Sequence, residues 1–428
     1  MSRLNVALFF FGCITIIAQK PKVDQTRLEN RILELAQFGL QENGETERVA
    51  FSDADVAAQH WVVQKLKDLG LQVHIDFAGN VIGKREGKSS TLKSISFGSH
   101  IDRVPNGGNY DGCLGSMASL EVLEVLNENK ITTKHPLEII IFSNEEGGVM
   151  GSRAIAGHLG KDALKVVNST GYSMGEGIMR LGGDTTRIAK VARKKNEIAA
   201  FLELHIEQGG TLENENIQIG TVEGIVGLKW WDVEFTGFSN HAGTTPMNAR
   251  QDALLAAAKF IVSVNEITNS FDGAQVGTVG KIKAEPGAPN VIPGKVVTSL
   301  EIRDLSSEVI EKVYQAIKTK GEEIAEASNV QIEFRALDTT ADPAIMTSSI
   351  QDAIGASAEK LGLSTKKMPS GAGHDAQDMA LIAPTGMIFV PSQGGISHSP
   401  KEFTSAEDMA NGANVLLHTI LALDKKLD

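Results

Sequence analysis

The stretch LKSISFGSHID, residues 92–102, decides the fold: an apolar run of strand character ends at a glycine and hands the chain directly to a histidine and an aspartate. Three later stretches repeat the arrangement: PLEIIIFSNEEGG (136–148), AAFLELHIEQGG (199–210) and TGMIFVPSQGGISHSP (385–400). Each couples a run rich in branched or aromatic residues to glycine plus histidine or carboxylate. Such runs separated by helical stretches predict an α/β sheet, and in these sheets sites form in the crevice beyond the carboxyl ends of the strands. Taken alone, the loop GSHIDRVPNGGNYDG (98–112) reads equally well as a solvated turn, because clusters of Gly, Asn and Asp mark turns. The three companion stretches favour a loop that presents metal ligands.

Upstream, TRLENRILELAQFG (26–39) has helical apolar spacing, and Ser52 to Asp55 cap a second helix, VAAQHWVVQKLKDLG (56–70). Between the third and fourth strand-end stretches lies a block of different character. LKWWDVEFTG alternates like a half-buried strand, RQDALLAAAKFIVSVNEIT is helical, and AQVGTVGKIKAE and KVVTSLEIRD read as strands. An amphipathic helix from Ser306 to Ser328 and the strand VQIEFRAL complete the order βαββαβ, a ferredoxin-like insert. Because His398 follows this insert, the expected organisation is a discontinuous catalytic domain (19–222 and 337–428) interrupted by an α+β lid (223–336). Trp230 and Trp231 adjoin on a strand, so one should face the core and the other the lid surface or a partner subunit.

With 428 residues, 42% hydrophobic and 22% charged, the chain is long enough for two cored domains. A net charge of −12 argues against nucleic acid or an anionic membrane as partner, since binding phosphates needs a basic face. At the N-terminus, Arg3, an apolar run from Val6 to Ile17 and Ala18 follow the pattern of a secretory signal over residues 1–18. The expectation is removal near Ala18 and a periplasmic or extracellular product, cytoplasmic if the leader is not processed. The run is short for a membrane span, and no other segment approaches that length. Of the two cysteines, Cys13 lies in this leader and Cys113 stands alone, so a processed chain has no internal disulfide.

The side chains gathered at the strand ends are His100, Asp102, Asp111, Glu145, Glu146, His205, Glu207 and His398. A two-metal hydrolytic site needs a bridging carboxylate, imidazole or carboxylate terminal ligands, and one free carboxylate to handle protons. Asp102 is placed to accept the ring N–H of His100 and fix its tautomer, and Asp111, lifted by the glycine-rich turn, is placed to bridge. His60, His74, His135 and His158 have no such partners and read as structural or exposed.

GSHID, NYDG, NEEGG, LHIEQG and GISHSP, in that order, resemble the hydantoinase/carbamoylase amidases, a branch of the aminoacylase/carboxypeptidase-type dinuclear metallohydrolases. The resemblance spans residues 25–425. It implies a zinc-peptidase-like catalytic domain with a mixed central sheet flanked by helices, interrupted by a lid that also dimerises. It further implies that His100 and His205 bind one divalent ion and Glu146 and His398 a second. Asp111 would bridge the two, with Asp102 behind His100 and Glu145 as general base. Two ions per subunit are expected, zinc first, with manganese, nickel or cobalt also compatible with a mixed His/carboxylate set. HAGTTPM (241–247), GAPNVIPG with Asn290, and Arg303 in EIRD match the family's lid. There the histidine assists the developing oxyanion, while the Asn and Arg hold a substrate carboxylate, often across a dimer interface. The segment SGAGHDA suggests that His374 lines the substrate pocket, against the alternative of a helix cap by Asp375 with a solvent-facing histidine. Gln208 is a further substrate-binding candidate.

The implied reaction is hydrolysis of a linear ureido or carbamoyl bond of a carboxylate-bearing small molecule, by a metal-bridging hydroxide that Glu145 generates. Allantoate or ureidoglycolate is an alternative substrate, and a dipeptidase or aminopeptidase an alternative activity; His205 discriminates, since related peptidases carry an acidic ligand there. A catalytically dead binding module would have lost a ligand or Glu145, and none is lost.

Overall fold

The computed structural model describes residues 20–42, 44–337 and 341–427; the leader expectation lies outside them. Four parallel strands form the centre of a nine-stranded mixed sheet, in the order Leu137–Phe142, Ile95–His100, Ala200–Ile206 and Thr385–Val390. Beyond Leu137–Phe142 run the antiparallel strands Val81–Arg85 and Gln72–Ile75. Beyond Thr385–Val390 lies antiparallel Ile219–Ile225, which also pairs with Ala344–Ile345 and Thr365–Ser370. The four central strands are buried along their whole length, as parallel strands covered on both faces must be.

Alternation divides those side chains between two cores. Ile95, Phe97, Leu202 and Leu204 pack under helices that include Cys113–Glu128 and Ala406–Lys426, while Phe142, Phe201 and Phe389 pack with Met150–Ala156 and Asp375–Ile382. His135 sits in this framework between the carbonyls of Lys93 and Leu427. No helix among the described residues is long and apolar enough to cross a membrane.

The chain leaves the central sheet at Ile225 and builds a separate five-stranded antiparallel sheet. Its order runs from Ile282–Glu285 through Lys295–Asp304 and Gly227–Thr236 to Gln331–Ala336, the ferredoxin-like arrangement expected of βαββαβ. AQVGTVGKIKAE differs from the single strand expected. It divides into Val276–Thr278 and Ile282–Glu285, both on Lys295–Asp304, because the Gly280 and Lys281 amides turn aside to the Ser299 hydroxyl. Helices Ala253–Ser270 and Ser307–Ala327 cover one face, where Val233, Phe235, Phe260, Leu300 and Ile317 form the core. Trp231 joins that core, stacked on Tyr314 with ring centroids 4.3 Å apart. Trp230 points to the opposite face and donates its indole N–H to Glu301. A separate two-stranded ribbon pairs Asn240–His241 with Val291–Ile292.

Candidate metal centre

The adjacent parallel strands Ile95–His100 and Ala200–Ile206 form a topological switch point. From the first strand the chain crosses to Leu137–Phe142 on one side, and it later returns to form the second strand on the other. Their ladder stops at Phe97 opposite Leu202, so the strand ends diverge. The start of helix Cys113–Glu128 enters the gap. Gly115 lies against the Leu204 carbonyl, where a Cβ would come within 2.1 Å of the oxygen. Gly112, at φ +63°, passes so close to His100 that a Cβ would sit 2.2 Å from Nε2. Only glycine fits both places, and the turn they permit carries Asp111 into the crevice.

Asp111 divides its two oxygens between two groups of side chains. Oδ1 is 3.1 Å from His205 Nε2 and 3.6 Å from His100 Nε2, whereas Oδ2 is 3.2 Å from His398 Nε2. Glu146 Oε2 stands 3.5 Å from the same His398 nitrogen. Donor atoms of His100, Asp111 and His205 all lie within 4.8 Å of one another, as do those of Asp111, Glu146 and His398. Buried His100 Nε2 has no hydrogen-bond partner among the described residues. An orphaned imidazole nitrogen facing a shared carboxylate fits a pair of divalent cations with nitrogen and oxygen ligands. Glu145 Oε2 lies 3.7 Å from His100 Nε2, at the edge of this group.

The electrostatics follow from crowding charge in a dry crevice. Burial, reinforced by Asp375, Glu146 and Asp102, pushes the Glu145 carboxyl well above its ordinary range. Burial and Asp111 raise Glu146 to about 7. Burial alone would raise Asp111 as well, but the facing imidazoles of His100, His205 and His398 hold it well below the usual carboxylate range. The loops are strained too. Asn144, Val149, Gln208 and His398 take φ between +51° and +57°, and such departures cluster at functional sites.

Two sequence readings change here. The ring Nδ1 of His100 meets the main-chain carbonyl of Asp102 at 3.2 Å, while the carboxylate stands at 3.6 Å. The carboxylate instead accepts the amides of Glu145 and Glu146, each at 3.2 Å, and so shapes the turn that presents them. Glu207 accepts the Thr211 and Leu212 amides and holds the start of helix Thr211–Glu215, away from the ligand group. Gln208 donates its amide to Asp111 Oδ2 at 2.6 Å, leaving Oε1 buried without a partner. His374 is buried rather than solvent-facing: its ring lies edge-on to His205 at 4.4 Å and Nε2 meets the Ser370 hydroxyl at 2.8 Å.

The lid candidates stand apart from the ligand group in their own contacts. Arg303 reaches the Gly371 carbonyl at 2.7 Å, touching the loop that bears His374, and its Nε bonds Glu301 at 2.8 Å. His241 and Asn290 share the exposed ribbon, where the Ala242 amide meets the Asn290 carbonyl, and the side-chain hydrogen bonds of His241 stay within its own turn.

Two supporting residues had escaped the sequence reading. Glu402 accepts the amides of Tyr110 (2.9 Å) and Asp111 (3.0 Å) and the Ser397 hydroxyl (2.8 Å), so one carboxylate ties the Asp111 turn to the His398 loop. Glu203, two residues before His205 on the same strand face, accepts from Ser99 and the Ala376 amide. Period-two alternation was the available signal for Glu203. Glu402, four residues after His398, had only proximity.

Comparison with known proteins follows the same lines. The family model described as peptidase family M20/M25/M40 matches residues 96–422. An N-carbamoyl-L-amino acid amidohydrolase of Geobacillus stearothermophilus is 40% identical over 402 residues, covering 93% of this chain and 98% of the relative. A ureidoglycolate hydrolase of Arabidopsis thaliana is 37% identical, covering 96% of this chain and 89% of the relative. Among solved structures, a hydantoinase/carbamoylase family amidase from Burkholderia multivorans superposes with a TM-score of 0.88 at 34% identity, over 95% of this chain and 99% of its own.

Proposed function

The chain belongs to the M20 dinuclear metal hydrolases and, within them, to the hydantoinase/carbamoylase amidases, and from that premise we propose that it cleaves the linear C–N bond of an N-carbamoyl-L-amino acid or a closely related ureido acid. The observation that carries the reading is the divided Asp111 carboxylate, one oxygen toward His100 and His205 and the other toward His398 beside Glu146. His100 and His205 would hold one divalent ion, Glu146 and His398 the second, with Asp111 between them. Ions bound there supply Lewis-acid polarisation of the scissile carbonyl and an acidified water.

The remaining work falls to side chains. Glu145, with its carboxyl pushed upward by burial, takes the proton of the attacking water at Oε2 and returns it to the departing nitrogen. The unpartnered Oε1 of Gln208, whose amide bonds Asp111, would accept a substrate N–H. His374, buried edge-on to His205, is the neighbouring candidate for substrate contact. Arg303, whose planar fork is held by Glu301 at the edge of the His374 loop, suits the substrate carboxylate, with Asn290 as its companion. His241 donates to the oxygen that gains charge as the carbonyl is attacked. Its place on an exposed ribbon fits delivery by lid closure or from a partner subunit. Exposed Phe238, Met247, Leu255 and Val262 on the lid support a homodimer through that domain. A mature protein outside the cytoplasm remains the reading of the N-terminal leader.

Ammonia release from N-carbamoyl-L-amino acids, N-carbamoyl-β-alanine, allantoate and ureidoglycolate, with zinc, manganese, nickel or cobalt, tests the assignment. Turnover of at least one carbamoyl amino acid is expected. Preference for allantoate or ureidoglycolate would move the substrate within the same chemistry. Cleavage of dipeptides with no ammonia from any ureido acid would refute the assignment.

A further inference from the structure

The HAGTT turn, residues 241–245, is built around one imidazole nitrogen. His241 Nδ1 accepts two consecutive amide N–H groups, from Gly243 at 3.0 Å and Thr244 at 3.2 Å. A nitrogen that accepts two hydrogen bonds carries its lone pair there, so the proton of the neutral ring resides on Nε2. No hydrogen bond engages Nε2 among the described residues, and the ring is exposed.

The first of these amides is aimed by a neighbouring cation. Arg250 donates from Nη2 to the Ala242 carbonyl at 2.7 Å and to the Thr245 carbonyl at 3.1 Å, with Nε 3.2 Å from the same Thr245 oxygen. It forms no ion pair among the described residues, so these carbonyls are the partners of its charge. In a trans peptide the C=O and N–H point in opposite directions. Gripping the Ala242 oxygen therefore turns the Gly243 amide of the same peptide away from Arg250 and onto His241. A Cβ at Gly243 would stand 3.2 Å from His241 Cε1, close enough to press on the ring. The Thr245 amide and hydroxyl both close onto the His241 carbonyl, which fixes the backbone of the turn.

We propose that this turn is a tautomer clamp: it holds His241 with the proton on Nε2, ready to donate to substrate oxygen, and Arg250 is the positioning residue that sets it. The inference rests on the proposed role of His241 at that oxygen and adds how the chain keeps the ring a donor at the outward nitrogen.

The test uses the zinc-loaded full chain labelled with [15N]histidine. Two-bond 1H–15N spectra report the tautomer of His241, assigned by comparison with His241→Gln, and ammonia release is measured alongside. In the wild type the Nε2–H form is expected. Arg250→Ala should give a mixed tautomer signal and lower kcat about ten- to a hundredfold, the range for residues that orient a functional histidine, with KM changed far less. Arg250→Lys should restore part of both. Gly243→Ala, which leaves Arg250 in place, should shift the same two readouts. A wild-type ring protonated on Nδ1, or a fall in kcat in both Arg250→Ala and Gly243→Ala with the tautomer unchanged, overturns the clamp. Unchanged kcat in His241→Gln overturns the catalytic role itself, and a retained Nε2–H signal in the wild type would separate that failure from a failure of the clamp.

Discussion

Replacing Glu402 tests whether the two halves of the ligand group are held by one carboxylate. Its oxygens accept the amides of Tyr110 and Asp111 and the hydroxyl of Ser397, across a sequence separation of 292 residues in the first case. Glu402→Ala removes all three hydrogen bonds and leaves two main-chain amides unpaired in a buried turn. Each unmade buried hydrogen bond costs about 1–3 kcal/mol, so the expected destabilisation is about 3–5 kcal/mol once water re-enters part of the space. Glu402→Gln keeps one carbonyl oxygen for the amides and offers an N–H to Ser397, so its cost should be about 1 kcal/mol. Because Asp111 and Ser397 also meet each other at 3.0 Å, loosening the turn should move the Asp111 carboxylate. Metal affinity should fall about ten- to a hundredfold in the alanine variant, as for other residues that orient ligands. Urea unfolding with and without zinc, together with calorimetric metal titration, separates the two effects. An alanine variant that binds two ions with wild-type affinity would refute the idea that Glu402 sets the position of Asp111.

Other outcomes follow from the same structure. Glu145→Gln should retain two ions while turnover falls by orders of magnitude, and near-wild-type turnover in the metal-replete variant would remove the general-base role. Arg303→Ala should raise KM far more for carboxylate-bearing ureido substrates than for neutral ureas, an expectation that equal effects on the two classes would contradict. Asp378, distant in sequence from every proposed ligand, is raised by burial from 3.8 to about 6. The folded state therefore binds more protons than the unfolded state between those values, and the folded protein loses stability as pH rises through that window. Asp378→Asn should match the wild type near pH 4, gain stability progressively to about pH 6, and hold the gain above it. Thermal unfolding across that range checks the sign, and a gain already present at pH 4 would contradict it.

Much of the fold was legible because the chemistry and the strands share positions. His100, Glu146 and His205 each stand at or just beyond the carboxyl end of a buried central strand, where a polar side chain needs a reason. His398 lies in the loop after a fourth. The lid followed from its alternation, since Val233 and Phe235 face one way and Asp232 and Glu234 the other. What escaped depends on contacts between distant segments. Ser299, on the next strand, breaks AQVGTVGKIKAE in two, and nothing within that stretch forecasts it. Asp102 shapes the Glu145 turn through its carboxylate and meets His100 through its carbonyl, a division that depends on where residues 145 and 146 return. Glu402 lies beyond sequence reasoning for the same reason: its partners at 110 and 111 are brought to it only by the closed sheet.

Anomalous diffraction from crystals of the zinc-loaded protein addresses the proposed dinuclear centre most directly. Two peaks per chain are expected, one between Asp111 Oδ1 and the rings of His100 and His205, the other between Asp111 Oδ2, Glu146 and His398. A single peak, or a pair that leaves Asp111 out of the space between them, would contradict the bridging carboxylate on which the proposed hydrolysis depends.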